Sequence, residues 1–145
     1  MLARESLPRG SDMQLLKDYL LQFVGLPYIW GGDDLIAGLD CSGLAQEALA
    51  MMGVDPPGDQ TADGLYRHFL KHGTPDIYDL GALAFYGAAE KITHVTMLLD
   101  AQHMIEAGGG GSKTLTLQNA IDQNAFVKIR PIRQQGLVSV ILPKY

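Results

Sequence analysis

The chain contains one cysteine, Cys41, in the segment Asp40-Cys41-Ser42-Gly43. With one cysteine no intrachain disulfide can form, so the residue is a buried spectator, a redox thiol or a nucleophile. The nucleophilic form is the thiolate, and an ordinary cysteine thiol, with a pKa of about 8.5, is mostly protonated at neutral pH. A helix N-terminus and a neighbouring imidazolium both stabilise a thiolate. A nucleophilic role for Cys41 therefore requires these two features from the rest of the chain.

Histidine would supply the second feature, and the chain has four histidines. They are His68, His72, His94 and His103. His68 and His72 stand four residues apart on a predicted helix, a spacing that can bind a metal. No glutamate lies between them and no third ligand stands out in the sequence, so we interpret them as part of a solvated helix face.

His94 is the histidine whose surroundings best fit a catalytic base. It begins a predicted strand that is otherwise largely apolar, and Glu106 lies on the next predicted strand. A three-residue loop at residues 99–101 would set position 94 opposite position 106 across an antiparallel hairpin, with both side chains on one face. Glu106 would then hold the imidazole tautomer and stabilise its charged form, which is the role of the third residue in a triad.

Each of these residues also has a purely structural interpretation. Cys41 lies on the apolar stripe of its predicted helix, and free cysteines are among the most buried residues. His94 and Glu106 are equally compatible with a satisfied structural pair, and Tyr28 and Trp30 are compatible with ordinary core aromatics. The residues taken singly leave both interpretations open.

The helices that would position Cys41 are predicted from residue spacing. A first helix is expected to begin at the Ser11-Asp12 cap and to end before Gly25. Residues 31–34 are expected to form a loop. A second helix is expected from Cys41 to about residue 52, because apolar residues recur there at helical spacing, and a third spans about residues 61–72. Cys41 would therefore lie at the positive end of the second helix.

Strands follow the helices along the chain. Runs of β-forming residues separated by Gly, Asp or Asn turns predict strands at residues 82–86, 94–99, 103–107, 113–117, 126–132 and 137–142. Helices first and strands second are typical of an α+β domain. We therefore predict N-terminal helices packed on a C-terminal antiparallel sheet of about five to six strands.

The composition limits the classes of partner. The chain has 145 residues, 47% of them hydrophobic, and a formal net charge of −5. This fits one globular domain, expected at residues 11–145 after a loose arm at residues 1–10. With no basic stripe, no apolar run long enough for a membrane span and no secretory signal, we expect neither nucleic acid nor membrane as a partner. We expect synthesis in the cytoplasm.

Two sequence blocks together carry a resemblance to a known family. Residues 25–32 read GLPYIWGG and residues 39–44 read LDCSGL. They resemble the NlpC-type bacterial cell-wall endopeptidases, in which a G-x-P-Y-x-W-G-G segment leads into D-C-S-G at a helix start. Residues 81–86, and the stretch from His94 to residues 104–107, resemble two later blocks of that family. The blocks stand in the family's order and cover roughly residues 15–107.

The resemblance implies a papain-like fold and hydrolysis of peptide bonds in peptidoglycan stem peptides, typically the bond from D-glutamate to a diamino acid. It implies that Cys41 is the nucleophile, that His94 is the general base and then acid, and that Glu106 is the orienting residue. The remaining residues that the resemblance singles out are Tyr28, near the oxyanion, and Asp40 and Ser42, which would grip the free amine of the substrate. No metal or organic cofactor is expected.

The chain departs from the family pattern at two positions. The third catalytic residue is usually His, sometimes Asn or Gln, and here it is Glu106; a carboxylate can also accept the imidazole hydrogen bond and would raise the imidazole pKa. Ala82 replaces the usual Asp at a position that we interpret as structural.

Three hypotheses on the biological role follow. In the first, the enzyme acts at the bacterial cell wall and is carried by a bacteriophage or a related particle, for example at a tail tip; a lysis enzyme released through a membrane hole would also fit. In the second, the chain is an amidase or acyltransferase of related fold. In the third, it is a non-catalytic assembly or binding module.

Overall fold

A computed structural model describes residues 9–34 and 38–145 of the chain. The helices are α1 (Arg9–Leu21), α2 (Cys41–Met51), α3 (Ala62–Lys71) and α4 (Leu117–Gln123). The strands are β1 (Asp33–Asp34), β2 (Gly38–Leu39), β3 (Gly73–Pro75), β4 (Leu83–Ala88), β5 (Lys91–Leu98), β6 (His103–Gly108), β7 (Phe126–Pro131) and β8 (Leu137–Pro143). No helix within these described stretches combines the length and the apolar content needed to cross a membrane.

The central element is a six-stranded antiparallel sheet with the strand order β3-β8-β4-β5-β6-β7. Strands β1 and β2 form a separate two-stranded hairpin just before α2. Helix α2 packs over β5 and β6, and α3 packs over β5. The predicted α+β architecture, with helices on one face of an antiparallel sheet, is therefore confirmed.

The apolar stripe of α2 is what fixes this helix on the sheet. Leu44, Ala48 and Leu49 are 2% exposed or less and share one core cluster with sheet residues such as Phe85 and Val95. Burying a leucine-sized side chain stabilises a fold by roughly 1.5–3 kcal/mol. The stripe therefore sets the position of the helix start, where Cys41 lies, above β5 and β6.

Helix α1 begins earlier than predicted. It starts at Arg9, so residues 9 and 10 belong to the helix rather than to the predicted loose arm, and the rest of that arm, residues 1–8, lies outside the described residues. Asp12 lies in the first turn instead of capping the helix. An acidic residue is favourable at either place, because it faces the positive end of the helix, and the sequence did not distinguish them.

The predicted strand at residues 113–117 is wrong. Thr116 caps α4, with its side-chain oxygen accepting a hydrogen bond from the Asn119 N–H at 3.1 Å. The Thr114 carbonyl accepts from the Trp30 N–H at 2.7 Å, so this backbone is satisfied by a loop contact rather than by a neighbouring strand. Threonine favours both strands and helix caps, and here the cap prevails.

Short elements were also missed. Strand β3, at the sheet edge beside β8, was not predicted, and Asp33–Asp34, expected in a loop, pair with β2. Strands of two or three residues are too short to show a side-chain period.

Candidate active site

Cys41 is the first residue of α2, as predicted. Asp40 is the N-cap, and its Oδ1 accepts a hydrogen bond from the Gly43 N–H at 2.8 Å. A capping carboxylate at this position satisfies one of the otherwise unpaired N–H groups of the first turn, which explains why the helix starts here. The partly buried thiol of Cys41 therefore lies at the positive end of the helix dipole.

Asp40 also ties the helix start to the preceding glycine-rich segment. Its Oδ2 accepts from the Gly31 N–H at 2.9 Å, and the Ser42 hydroxyl donates to Oδ1 at 3.3 Å. Burial raises the pKa of Asp40, and the three hydrogen bonds offset that effect only in part. Neither Asp40 nor Ser42 lines the cleft that contains Cys41. Their role in gripping a substrate amine stays a prediction, while the observed contacts give them a role in shaping the helix start.

Gly43 has a steric reason to be glycine. A Cβ atom built at Gly43 would collide with the carbonyl oxygen of Gly32. The same carbonyl accepts a hydrogen bond from the Asp40 N–H at 3.1 Å. The predicted close backbone approach at Gly43 therefore brings the 28–32 segment directly against the first turn of α2.

His94 and Glu106 are paired, although the predicted hairpin register is wrong by two residues. Strand β5 begins at Lys91 rather than at His94, and the connection to β6 covers residues 99–102. The observed pairs are Met97↔Ile105 and Leu98↔Met104. His94 Nε2 nevertheless lies 2.6 Å from Glu106 Oε1, with the side chains 20% and 3% exposed.

The second nitrogen of His94 is the one left to face the Cys41 thiol. Because Nε2 donates to the carboxylate, Nδ1 is the ring atom that remains for other contacts. Cys41 lines the same cleft as His94 and lies near enough to the imidazole for hydrogen bonding and charge to raise the pKa of His94. Cys41, His94 and Glu106 therefore form a continuous chain of polar contacts, as a nucleophile, base and orienting residue require.

The charges in this chain are stabilised mutually. Burial lowers the pKa of His94, but hydrogen bonds and charge interactions with Cys41 and Glu106 raise it to about 9. Burial raises the pKa of Glu106, but His94 and Arg133 together lower it to about 2. At neutral pH the site therefore contains an imidazolium beside the cysteine and a carboxylate behind it.

Two arginines near Glu106 were missed by the sequence reasoning, which assigned no chemistry to residues 118–145. The Arg133 guanidinium bonds both carboxylate oxygens, and Arg130 Nε lies 3.7 Å from Oε2. The sequence indicated only in general terms that Glu106 has further partners, because a buried glutamate needs more than one hydrogen-bond donor. Which donors reach it depends on the pairing of β6 with β7, and no local pattern indicates that pairing.

Cys41, His94 and Glu106 line a cleft with a volume of about 540 Å³. One wall is the glycine run 108–111, which presents backbone without side chains. The Tyr28 ring packs directly against this wall, so closely that a Cβ atom at Gly110 would overlap it. Trp30, 51% exposed, stands at the same cleft. The cleft thus leaves room for an extended peptide beside the thiol.

Tyr28 is placed to donate a hydrogen bond within this cleft. The residue is 4% exposed, and its backbone is fixed by a bond from its N–H to the Ala125 carbonyl at 2.9 Å. Burial, followed by the nearby charges of Cys41 and Asp40, raises the pKa of its hydroxyl. The hydroxyl therefore stays protonated over the whole neutral range and can act as a donor.

Among the residues that the structure describes, no group of three or more His, Cys, Asp or Glu side chains is arranged to hold a metal ion. The rings of His68, on α3, and His72, the C-cap of that helix, are tilted against each other with centroids 4.5 Å apart. Burial, followed by the charge of His72, lowers the pKa of His68, as expected for two neighbouring rings on a helix face.

Comparison with known proteins identifies relatives with cell-wall functions. The family described as NlpC/P60 matches residues 25–131, which include Cys41, His94 and Glu106. The peptidoglycan endopeptidase RipB of Mycobacterium tuberculosis (strain ATCC 25618 / H37Rv) is 32% identical over 154 aligned positions, covering 93% of this chain and 55% of RipB. The chain thus spans about half the length of this relative.

Solved structures support the same grouping. The structure of the peptidoglycan hydrolase RipB from Mycobacterium tuberculosis has a TM-score of 0.67 and 26% identity, covering 97% of this chain and 71% of that one. RipD from the same organism, described as a non-catalytic NlpC/p60 domain protein adapted to peptidoglycan binding, has a TM-score of 0.67 and 22% identity, covering 92% of this chain and 98% of that one. At 22% identity, the likeness to RipD shows a shared fold and nothing more. The predicted papain-like fold is confirmed.

Proposed function

The chain belongs to the NlpC/P60 family, and from that premise we propose that it is a cysteine endopeptidase that hydrolyses peptide bonds in peptidoglycan stem peptides. The observation that carries the proposal is the Cys41–His94–Glu106 contact chain at the start of α2, with His94 Nε2 2.6 Å from Glu106 Oε1. The name of RipB, a peptidoglycan endopeptidase, supports the class of substrate.

In the proposed mechanism the Cys41 thiolate attacks the carbonyl carbon of the scissile bond. The tetrahedral oxyanion receives hydrogen bonds from the Cys41 backbone N–H and from the Tyr28 hydroxyl. Each such donor typically stabilises the transition state by about 3 kcal/mol. His94 Nδ1 then protonates the leaving amine, and a thioester remains on Cys41. Water, deprotonated by His94, attacks the thioester, and cleavage of the C–S bond releases the acid and restores the Cys41 thiolate beside protonated His94.

The specific bond is the finer part of the proposal. We assign cleavage between D-glutamate and a diamino acid, as the family resemblance implies. Two features of the cleft are compatible with this branched, anionic substrate. The glycine wall at 108–111 leaves space for peptide backbone, and Arg130 and Arg133 place positive charge at the cleft of an otherwise acidic protein.

Digestion of purified peptidoglycan tests both the nucleophile and the bond. Wild type is compared with Cys41→Ala and His94→Gln, and the released fragments are identified by mass spectrometry. New D-glutamate carboxyl ends are expected with wild type only. His103→Gln is the matched control, because His103 lies on the adjacent strand and also bonds a carboxylate, Asp100, at 3.1 Å. Cleavage by Cys41→Ala would contradict the mechanism, and different fragment ends would favour an amidase or acyltransferase.

A non-catalytic, peptidoglycan-binding function is the second candidate, because RipD shares the fold and is described in those terms. The two are separated by the reactivity of Cys41 towards iodoacetamide. A thiolate–imidazolium pair is expected to alkylate rapidly near pH 6, where an ordinary thiol is almost unreactive. Slow alkylation together with tight retention on insoluble peptidoglycan would favour the binding function.

The place of action is also a proposal. We assign it to the bacterial cell wall, with delivery by a phage or phage-like tail as the specific hypothesis. Mass spectrometry of purified particles from a producing strain would test it, and a chain found only in particle-free fractions would contradict it.

A further inference from the structure

Glu106 is bonded at both of its carboxylate oxygens, and His94 accounts for only one of the bonds. Arg133 Nη1 donates to Oε2 at 3.0 Å, and Nη2 donates to Oε1 at 3.1 Å. The Glu106 side chain is 3% exposed, while that of Arg133 is 39% exposed. Two parallel N–H···O bonds from one guanidinium fix a carboxylate in a single orientation.

Arg133 is in turn held by the core of the sheet. Its guanidinium carbon lies 4.6 Å from the centroid of the Tyr86 ring. The Tyr86 hydroxyl donates to the Arg133 carbonyl at 3.0 Å, and Tyr86 itself is buried on β4. Both ends of Arg133 therefore contact one rigid side chain, which restricts where the guanidinium can be.

Other charged groups near Glu106 hold it less firmly. The Arg130 side chain is 56% exposed, with Nε 3.7 Å from Oε2. Lys128 is the register partner of Glu106 across β6 and β7, but its Nζ donates to the Asn124 carbonyl at 2.9 Å. A Cβ atom at Gly108 would lie 3.2 Å from the Glu106 Cδ, so the carboxylate has little free space on that side.

We propose that Arg133 is a positioning residue of the active site, which fixes the Glu106 carboxylate so that Oε1 receives the His94 Nε2–H. The inference deepens the proposed peptidase function and rests on it. Without Arg133 the buried carboxylate would be hydrogen-bonded by His94 alone, and the exposed Arg130, with Nε 3.7 Å from Oε2, would be the other cation near it. The carboxylate would then rotate towards solvent or take up a proton, and either change removes the fixed acceptor behind the imidazole.

Three variants separate this role from a general structural one. Arg133→Gln removes the charge and the paired donors, while Arg133→Lys keeps the charge and loses the bidentate geometry. Arg67→Gln is the matched control. Arg67 also pairs with a carboxylate, Asp63, at 3.3 Å and lies over a tyrosine ring, that of Tyr66, at 5.2 Å, but on α3 outside the cleft.

The first readout is the titration of Glu106 itself, followed by carboxyl ¹³C NMR, which is tractable because the chain has only four glutamates. The Glu106 pKa is about 2 in the wild type. Arg133→Gln is expected to raise it by about one to three pH units, the usual effect of losing an adjacent opposite charge. Arg133→Lys should give a smaller rise, and Arg67→Gln none.

The second readout is kinetic. On a stem-peptide substrate, kcat of Arg133→Gln is expected to fall about tenfold to a hundredfold with KM near the wild-type value, the range seen when an outer partner of a metal-bound histidine is removed. Arg133→Lys should recover part of the loss. Alkylation of Cys41 near pH 6 should slow in parallel, and this measurement needs no substrate.

An Arg133→Gln protein that is folded by near-ultraviolet circular dichroism, with wild-type Glu106 titration and wild-type alkylation, would overturn the proposal. If Arg133→Gln does not fold, an unshifted Glu106 and wild-type kcat in Arg133→Lys would overturn it equally. If the titration and alkylation change as expected but wild type cleaves no wall peptide, the role of Arg133 is supported and the proposed peptidase function is the part that fails.

Discussion

His94 and Glu106 meet at 2.6 Å although they do not face each other directly across the β5–β6 hairpin. The observed register, with Met97 paired to Ile105, places Thr96 opposite Glu106. A shift of two residues preserves the face on which each side chain lies, because strand side chains alternate with a period of two. The glutamate then reaches the diagonal position, which a long side chain can do.

The charge of Glu106 should set the alkaline limit of activity. In Glu106→Gln the negative charge behind His94 is lost, so the imidazole pKa is expected to fall from about 9 towards its ordinary value. Because the proposed mechanism uses the protonated imidazole as the proton donor to the leaving amine, the alkaline limb of the kcat/KM profile should move to lower pH. Measuring kcat/KM from pH 5 to 10 checks this, and an unchanged alkaline limb would contradict it.

The same pair should make stability depend on pH in both directions. The folded pKa of Glu106 is lowered to about 2, so its stabilising contribution is present above the unfolded value near 4.5 and is lost as pH falls from there to about 2. The folded pKa of His94 is raised to about 9, so its contribution is complete below about 6.5 and is lost as pH rises through 9.

Urea unfolding at several pH values checks this dependence. Glu106→Gln should lower the free energy of unfolding near pH 6, by less than the roughly 3–5 kcal/mol seen for fully buried broken pairs, because Arg133 is 39% exposed. The difference between wild type and variant should shrink towards pH 2. A difference that stays constant from pH 6 to pH 2 would argue against the lowered pKa.

Loss of the Asp40 cap should affect both stability and the thiol. Asp40→Ala removes the acceptor for the Gly43 N–H and is expected to cost about 1 kcal/mol in the free energy of unfolding. Thr61→Ala removes the equivalent cap of α3, where Thr61 Oγ1 accepts from the Gly64 N–H at 3.0 Å, and should cost a similar amount. Only Asp40→Ala is expected to slow alkylation of Cys41, because only that cap fixes the helix start beneath the thiol. Equal alkylation rates in the two variants would count against this role.

Two adjacent glycines of the cleft wall should respond differently to the same substitution. A Cβ atom at Gly110 would overlap the Tyr28 ring, whereas one at Gly111 would meet no atom within 4 Å. Gly110→Ala is therefore expected to lower the free energy of unfolding by about 1–3 kcal/mol, the usual cost of overpacking. Gly111→Ala should be neutral or slightly stabilising, because it only restricts the unfolded chain. Thermal and urea unfolding of both variants would show the difference, and similar values for the two would exclude the proposed contact.

Local patterns were sufficient to predict the start of α2 and its apolar face. The capping residue Asp40 and the residue whose N–H it binds, Gly43, lie three positions apart in the sequence. The apolar stripe of Leu44, Ala48 and Leu49 repeats at helical spacing. The ordering of helices before strands likewise predicted the α+β class. These features depend on neighbours in the sequence, so the sequence by itself determines them.

The tertiary structure alone decided which distant groups complete the site. Arg133 and Glu106 are 27 residues apart and meet because β7 pairs with β6, and the hairpin register that sets His94 diagonal to Glu106 follows from a connection one residue longer than predicted. The segment before α4 became a loop because Thr114 bonds Trp30, a contact between remote parts of the chain. Strand periodicity indicates which face a side chain occupies, but pairing partners and register depend on how the whole sheet packs, and no local pattern carries that information.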